Sequence, residues 1–191
     1  TELDALPEGA SASQFADQML VSLREPWTPT PGGATHAAGS LLAVGIDAFC
    51  RDGARSEFVT LFAPSARCSL GGWTATRSRL VLSTLENVKS RLRFWEYDAA
   101  AAAAGAPAWK DAGAESEGAI RGLSVRAVDS DASDDVFLTL NTYLEPSTLA
   151  LADARRGAAL VGDAAHLRAL PAQGGAAARE AYQREAAPGD G

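Results

Sequence analysis

The sequence predicts an all-β chain, and three observations carry that prediction. Segments of strand length recur along it, each closed by Gly, Pro or Asp turns. Stretches such as "VFLTLNTYLEP" (136–146) concentrate the β-branched and aromatic residues that favour strands. Gly71 and Gly72, poor helix material, stand just before the one segment with a convincing helical stripe. Regular short strands of this kind build a sandwich, a barrel or a propeller.

In chain order, Phe15 to Arg24 reads as an extended run, stopped by Pro26, Pro29 and Pro31 with two glycines behind them. A loop over Thr28–His36 follows. "GSLLAVGIDAF" (39–49) alternates loosely and is read as one buried strand with a turn after it. "FVTLFAP" (58–64) sets Phe58, Thr60 and Phe62 against Val59 and Leu61 and stops at Pro64, an ordinary strand.

The stretch "RSRLVLSTLENVKSRLRFWEYD" (77–98) is ambiguous by itself. At helical spacing Val81, Leu85, Val88, Leu92 and Trp95 form an apolar stripe, while at a period of two the same letters make two strands. Its strand-like neighbours favour the hairpin: 78–85 as one strand, Glu86–Lys89 as the turn and 90–97 as its partner. Asn87 lacks the following glycine of the preferred two-residue turn. Arg77, Arg79, Lys89, Arg91 and Arg93 are all odd-numbered and are read as sharing the solvent face of this pair.

The alanine-rich segment 98–108 contains Gly105 and Pro107 and is read as a surface loop rather than a helical turn. Within 118–129, Leu123, Val125 and Ala127 fall on one face, and Ser124, Arg126 and Val128 on the other. "DSDASDD" (129–135) is a polar turn, followed by strands over 136–146 and 146–153. The tail suits either a helix around Ala176–Ala187 or a strand ending in a turn.

Composition bounds the function. The 191 residues are 47% hydrophobic and 21% charged, which is globular, and are enough for one domain or a large piece of a bigger one. A net charge of −7, with Lys89 and Lys110 the only lysines, argues against nucleic acid as a partner and fits a soluble protein. The longest purely apolar run, Ala99–Ala104, falls far short of a membrane span, so no membrane partner is expected. A chain starting at Thr1 is expected to be processed or a fragment. Cys50 and Cys68 have neither metal nor disulfide spacing and are read as buried small hydrophobes.

Catalytic signatures do not emerge. An α/β-type serine hydrolase needs a GxSxG elbow, and "GASAS" (9–13) fails at its fifth position. His36 and His166 are the only imidazoles available as a triad base, and each is read as an exposed loop residue. Asp129, Asp131, Asp134 and Asp135 form an acidic cluster without the calcium-loop pattern, and a solvated turn is the favoured reading. Trp27, Trp73, Trp95 and Trp109 are assigned to core between sheets, with a ligand-stacking role open for one of them.

"DQMLVSLREPW" (17–27), "GSLLAV" (39–44), "LFAPSARCSLGGW" (61–73), "SRLVLSTLENVKSRL" (78–92) and "VDSDASDDVFLTLNTYLEPSTLALAD" (128–153) together resemble, in order, the later part of the β-propeller domain of bacterial prolyl oligopeptidases. The resemblance implies a partial β-propeller over 1–181, of about three to four four-stranded antiparallel blades, open at both ends. It implies that "YQREAAPGDG" (182–191) starts the connection toward an α/β-hydrolase domain absent from this chain, which would hold the catalytic Ser, Asp and His. This chain would then carry no catalytic, cofactor-binding or metal residue and be inactive alone. Its role would be to gate entry of short proline-containing peptides in a serine peptidase, with the hydrolase domain as partner, no cofactor, and a cytoplasmic or, as the alternative, periplasmic location. The competing readings are a free-standing β-rich binding module and an enzyme using His36 or His166.

Overall fold

In the computed structural model, residues 6–87, 89–114, 122–141, 148–157 and 168–170 are described. They form twelve strands in three antiparallel sheets, each a simple meander of four consecutive strands. The first sheet holds β1 (Ser11–Phe15), β2 (Gln18–Ser22), β3 (Leu41–Gly45) and β4 (Val59–Phe62). In the second are β5 (Cys68–Ala75), β6 (Arg79–Glu86), β7 (Lys89–Tyr97) and β8 (Trp109–Ala114). The third contains β9 (Gly122–Ala127), β10 (Asp135–Asn141), β11 (Thr148–Asp153) and β12 (Arg168–Leu170).

The 77–98 stretch is a strand pair, as its neighbours indicate. Glu86 pairs with Lys89, and Asn87 supplies the positive φ of 48° that a tight hairpin needs. That short connection corrects the reading of the arginines. Because Arg79 pairs with Glu96 and Leu82 with Arg93, odd residues of β6 lie opposite even residues of β7. Arg79 therefore shares a face with Phe94, whereas Arg91 and Arg93 lie on the other, and the Arg79 side chain is only 13% exposed. It bonds Glu96 at 2.9 Å, while its Nε is buried without an acceptor among the described residues.

Helices correct the reading in two connections. After β3 the chain enters α1 (Ile46–Asp52) instead of continuing as a strand: Asp47 and Arg51 suit the helix dipole, Phe49 packs inward, and Gly53 ends it at φ 58°. After β7, Asp98 accepts hydrogen bonds from the amides of Ala100 and Ala101 and nucleates α2 (Ala99–Ala103) where a loop was expected. The third sheet repeats the device, with Asp153 accepting from the Arg155 amide at a 3₁₀ turn. Each sheet thus places a short helical element after its third strand. The Phe15–Arg24 run is also broken, because Ala16 adopts φ 50° and turns β1 into β2. Neither cysteine is fully buried: Cys50 is exposed on α1 because Phe49 takes the inward position, and Cys68 is half-buried.

The sheets pack face to face. Leu20, Leu41 and Ala43 of the first meet Leu80 and Leu82 of the second. On the opposite side of the second sheet, Val81, Leu92 and Phe94 meet Val136, Leu138 and Ala150 of the third. Alternating side chains of one strand thus serve two cores, and Leu80, Val81 and Leu82 are all fully buried. The first sheet's outer face is closed as well: Val21, Leu23 and Leu42 are covered by Leu6, Ala10, Trp27 and Phe58 of the same chain. Where both ends of the stack were expected to be open, the described residues leave only the third sheet's outer face open.

Candidate functional site

Among the described residues, those weighed for chemistry do not converge. His36 is half-buried in its loop, bridged through its backbone to Trp27, and its Nδ1 lies 3.4 Å from Thr60 Oγ1. No carboxylate is bonded to it among the described residues, and His166 lies outside them. Within the acidic cluster, Asp129 accepts from the amides of Asp131 and Ala132, closing the turn. Asp134 turns the other way, into the second sheet. Among the described residues no group of three or more His, Cys, Asp or Glu is placed to hold a metal ion. None of their helices is long and apolar enough to cross a membrane.

Two polar joints that the sequence did not reveal tie the sheets together. Asp134, just before β10, accepts from Thr76 Oγ1 at 2.6 Å, from the Ser78 amide at 2.8 Å and from Ser78 Oγ at 2.9 Å. Burial pushes its carboxyl up, but these hydrogen bonds, helped by the charge of Arg155, outweigh that and hold it below its ordinary value. Asp17, just before β2, accepts from the Tyr97 hydroxyl; Gln18 Nε2 donates to the same hydroxyl at 3.0 Å, and Trp109 Nε1 donates to Gln18 Oε1 at 3.3 Å. Burial first, then the bond to Asp17 and its charge, push the Tyr97 phenol well above the usual range. Asp17, Ser78 and Asp134 hold the same position in their sheets, immediately before the second strand. That shared position is the signal a search for repeats could have used.

The tryptophans follow the core assignment only in part. Trp109 is buried between the first two sheets, with Trp73 and Trp95 packed against that core. Trp27 instead lies on the outer face of the first sheet, 5.0 Å from the Phe58 ring.

Among the described residues a shallow groove of about 320 Å³ lies on the third sheet's outer face, lined by Ser124, Arg126, Phe137, Thr139 and Leu149. Register places Arg126 opposite Phe137, Ser124 opposite Thr139, and Thr139 opposite Leu149, so all five share one face. The groove offers two hydroxyls, one guanidinium and an apolar floor, but no nucleophile–base pair.

No family model matches the chain. A protein of Sinorhizobium fredii named as the uncharacterised peptidase y4nA is 36% identical over 143 residues, covering 75% of this chain and 18% of that protein. The solved structure of a post-proline cleaving enzyme from Rickettsia typhi superposes with a TM-score of 0.62 at 17% identity, covering 86% of this chain and 21% of that one. The chain therefore spans about a fifth of the length of each, and the second likeness speaks for fold alone. Stacked antiparallel meanders akin to part of a much longer peptidase are the class of protein that emerges. The likeness in sequence is to part of that peptidase, and the likeness in fold is to part of the post-proline cleaving enzyme.

Proposed function

We propose that this chain is the later part of the β-propeller domain of a prolyl oligopeptidase-like serine peptidase, a segment that gates substrate entry and catalyses nothing itself. The observation that supports this reading is the stack of three consecutive four-stranded meanders with the middle one buried on both faces, as neighbouring propeller blades would pack. Its likeness to a named peptidase and to a post-proline cleaving enzyme supports the substrate class, short peptides cleaved after proline.

On this reading the triad belongs to an α/β-hydrolase domain of the same parent chain, residues 182–191 lead toward it, no cofactor takes part, and the parent enzyme is cytoplasmic. The sheets contribute a stiff wall: their interiors are packed and their faces pinned by Asp17 and Asp134. A folded protein cannot deform such a wall at modest cost, whereas a short peptide passes without deforming it.

The test is to treat the natural full-length polypeptide with a fluorophosphonate probe and a proline-containing peptide. Labelling and cleavage after proline are expected, with neither from the 191-residue chain alone. A natural full-length polypeptide that takes no label and does not cleave the peptide would overturn the proposal in favour of a binding module.

A further inference from the structure

The registers put the first strands of the three sheets in step. Leu20, Val81 and Phe137 follow at the same interval from Asp17, Ser78 and Asp134, so their partners Ser13, Thr74 and Arg126 hold equivalent places on β1, β5 and β9. Thr74 faces the next sheet, and its Oγ1 donates to the Val125 carbonyl at 3.0 Å, which fastens β5 to β9. Ser13, paired with Leu20, also faces the next sheet. It is exposed, however, and among the described residues no hydrogen bond runs from β1 to β5. The seam between the first and second sheets is thus filled at the Phe15 end of β1 and open along the rest of that strand.

The two walls of this seam differ. β5 carries a bulge in which Gly71 is the extra residue, and a Cβ there would lie 3.3 Å from the Ser83 carbonyl oxygen. The bulge shifts parity, so Cys68 and Leu70 before it and Trp73 and Ala75 after it share the face turned to the first sheet, each half-buried on that core. β1 offers hydrogen bonds instead. Its two-residue turn at Ala16 and Asp17 makes Phe15 and Gln18 a hydrogen-bonded pair, so Ser11 and Ser13 bond toward β2, and the amides and carbonyls of Ala12 and Gln14 point out of the sheet's edge. Sheet edges are ordinarily guarded by a bulge, a charge or a proline. β5 has its bulge and β9 has Arg126, whereas residues 11–14 have none of the three.

We infer that the open edge of β1 is a docking strand for an extended, uncharged, proline-containing peptide, which pairs with Ala12 and Gln14 and lays its proline ring toward the Trp73 indole. The walls select this occupant. Neither β1 nor β5 carries a charged residue, so nothing there favours an ionic ligand, and an edge with alternate amides free accepts another extended backbone. A peptide residue whose amide turns away from β1 lies opposite Ser11 or Ser13 and shares their face, the one turned to Trp73. Proline has no amide to lose, so that place suits it, and its ring meets an aromatic wall there. The inference rests on the reading above for the substrate class and adds where the peptide is held.

The experiment treats the natural full-length polypeptide with the fluorophosphonate probe and then irradiates it with a capped, uncharged octapeptide that has a central proline and p-benzoylphenylalanine beside it, at subsaturating concentration. Mass spectrometry should map the cross-links to residues 11–14 and 68–75. Methylating the peptide amides in phase with the proline should leave the yield unchanged, whereas methylating the alternate amides should lower it about tenfold, because those are the ones bonded to β1. Trp73→Ala should lower it as well. Cross-links confined to other sequence, none at all, equal yields from the two methylated peptides, or an undiminished yield from Trp73→Ala overturn the inference. The methylated pair leaves the protein unaltered, so the test stands even where Trp73→Ala does not fold. Fluorophosphonate labelling reads the peptidase assignment separately: cross-links on these strands without a label sink that assignment and leave the docking strand standing.

Discussion

The two joints that flank the middle sheet share an architecture and differ in material. Between the first and second sheets the filling is aromatic: Phe15 meets Tyr97 edge-on at 5.9 Å, and Tyr97 lies 4.9 Å from Trp109. The bonds described across that joint run only through side chains, those of Asp17, Gln18, Tyr97 and Trp109. Between the second and third sheets Phe94 is the one large ring, and Leu92 and Leu138 pack with it among the smaller Val136, Ala150, Ala152 and Ala154. Backbones there come close enough for the Arg77 amide to donate to the Ser133 carbonyl at 3.1 Å. Bulk closes one joint and close approach the other. Deletions should therefore cost more where the neighbours are already in contact and have little room to rearrange.

The sharpest way to break this comparison is Phe94→Ala, which empties the close-packed joint at a fully buried site. A loss of about 3–5 kcal/mol in urea unfolding is expected. A loss below about 1 kcal/mol would mean that the joint collapses freely, contrary to tight packing.

Asp134→Ala comes next, because it takes the acceptor from both the amide and hydroxyl of Ser78 and leaves the Thr76 hydroxyl only the longer bond to the Arg79 carbonyl at 3.2 Å. About 1–3 kcal/mol should be lost. The sign of the acid dependence follows from the lowered carboxyl: its contribution is complete above the ordinary carboxylate range and disappears as the pH falls through the folded value, below 3.8. Wild type and variant should thus converge in stability in acid, and an undiminished gap there would refute the pin.

Tyr97→Phe tests the aromatic joint and should cost about 1 kcal/mol, less than Asp134→Ala, since the Asp17 carboxylate is exposed and water can replace the phenol. Its signature is optical. With the phenol raised, its contribution holds below the ordinary tyrosine range and is lost in strong alkali, so the latest phase of phenolate absorbance among the three tyrosines should vanish in the variant. Asp98→Ala, which uncaps a five-residue helix on the surface, is the smallest change, at about 0.5 kcal/mol by thermal melting.

Much of the fold was legible because strands are written in period and punctuation. The 77–98 hairpin, the strand at 58–64 and the two-faced pattern of 118–129 all follow from alternation bounded by turn residues. Parity across the hairpin was not legible, since it depends on a turn whose length the letters leave open, and so Arg79 was placed on the wrong face. Helix α1 hid inside a loosely alternating run, where Ile46 and Phe49 also stand three apart. The threefold repeat was hidden because equivalent places hold different residues: Asp, Ser and Asp before the second strands, and Leu, Val and Phe within them. The groove could not be foreseen, because Ser124, Arg126 and Thr139 become neighbours only through pairing. The tail alternatives, helix or strand, lie outside the described residues.

The meander order carries a consequence for how the protein is made. Every strand pairs only with its neighbours in sequence, so each sheet closes short loops and can assemble as its residues leave the ribosome. The earliest of the three sheets also carries its own cover of Trp27 and Phe58, so one apolar face is shielded before its successor is translated. Its other face must wait for the second sheet, as the second waits for the third. Synthesis therefore moves one sticky surface down the chain, and arrested nascent chains should gain protease resistance in steps of one sheet, with the newest sheet always the most easily cut.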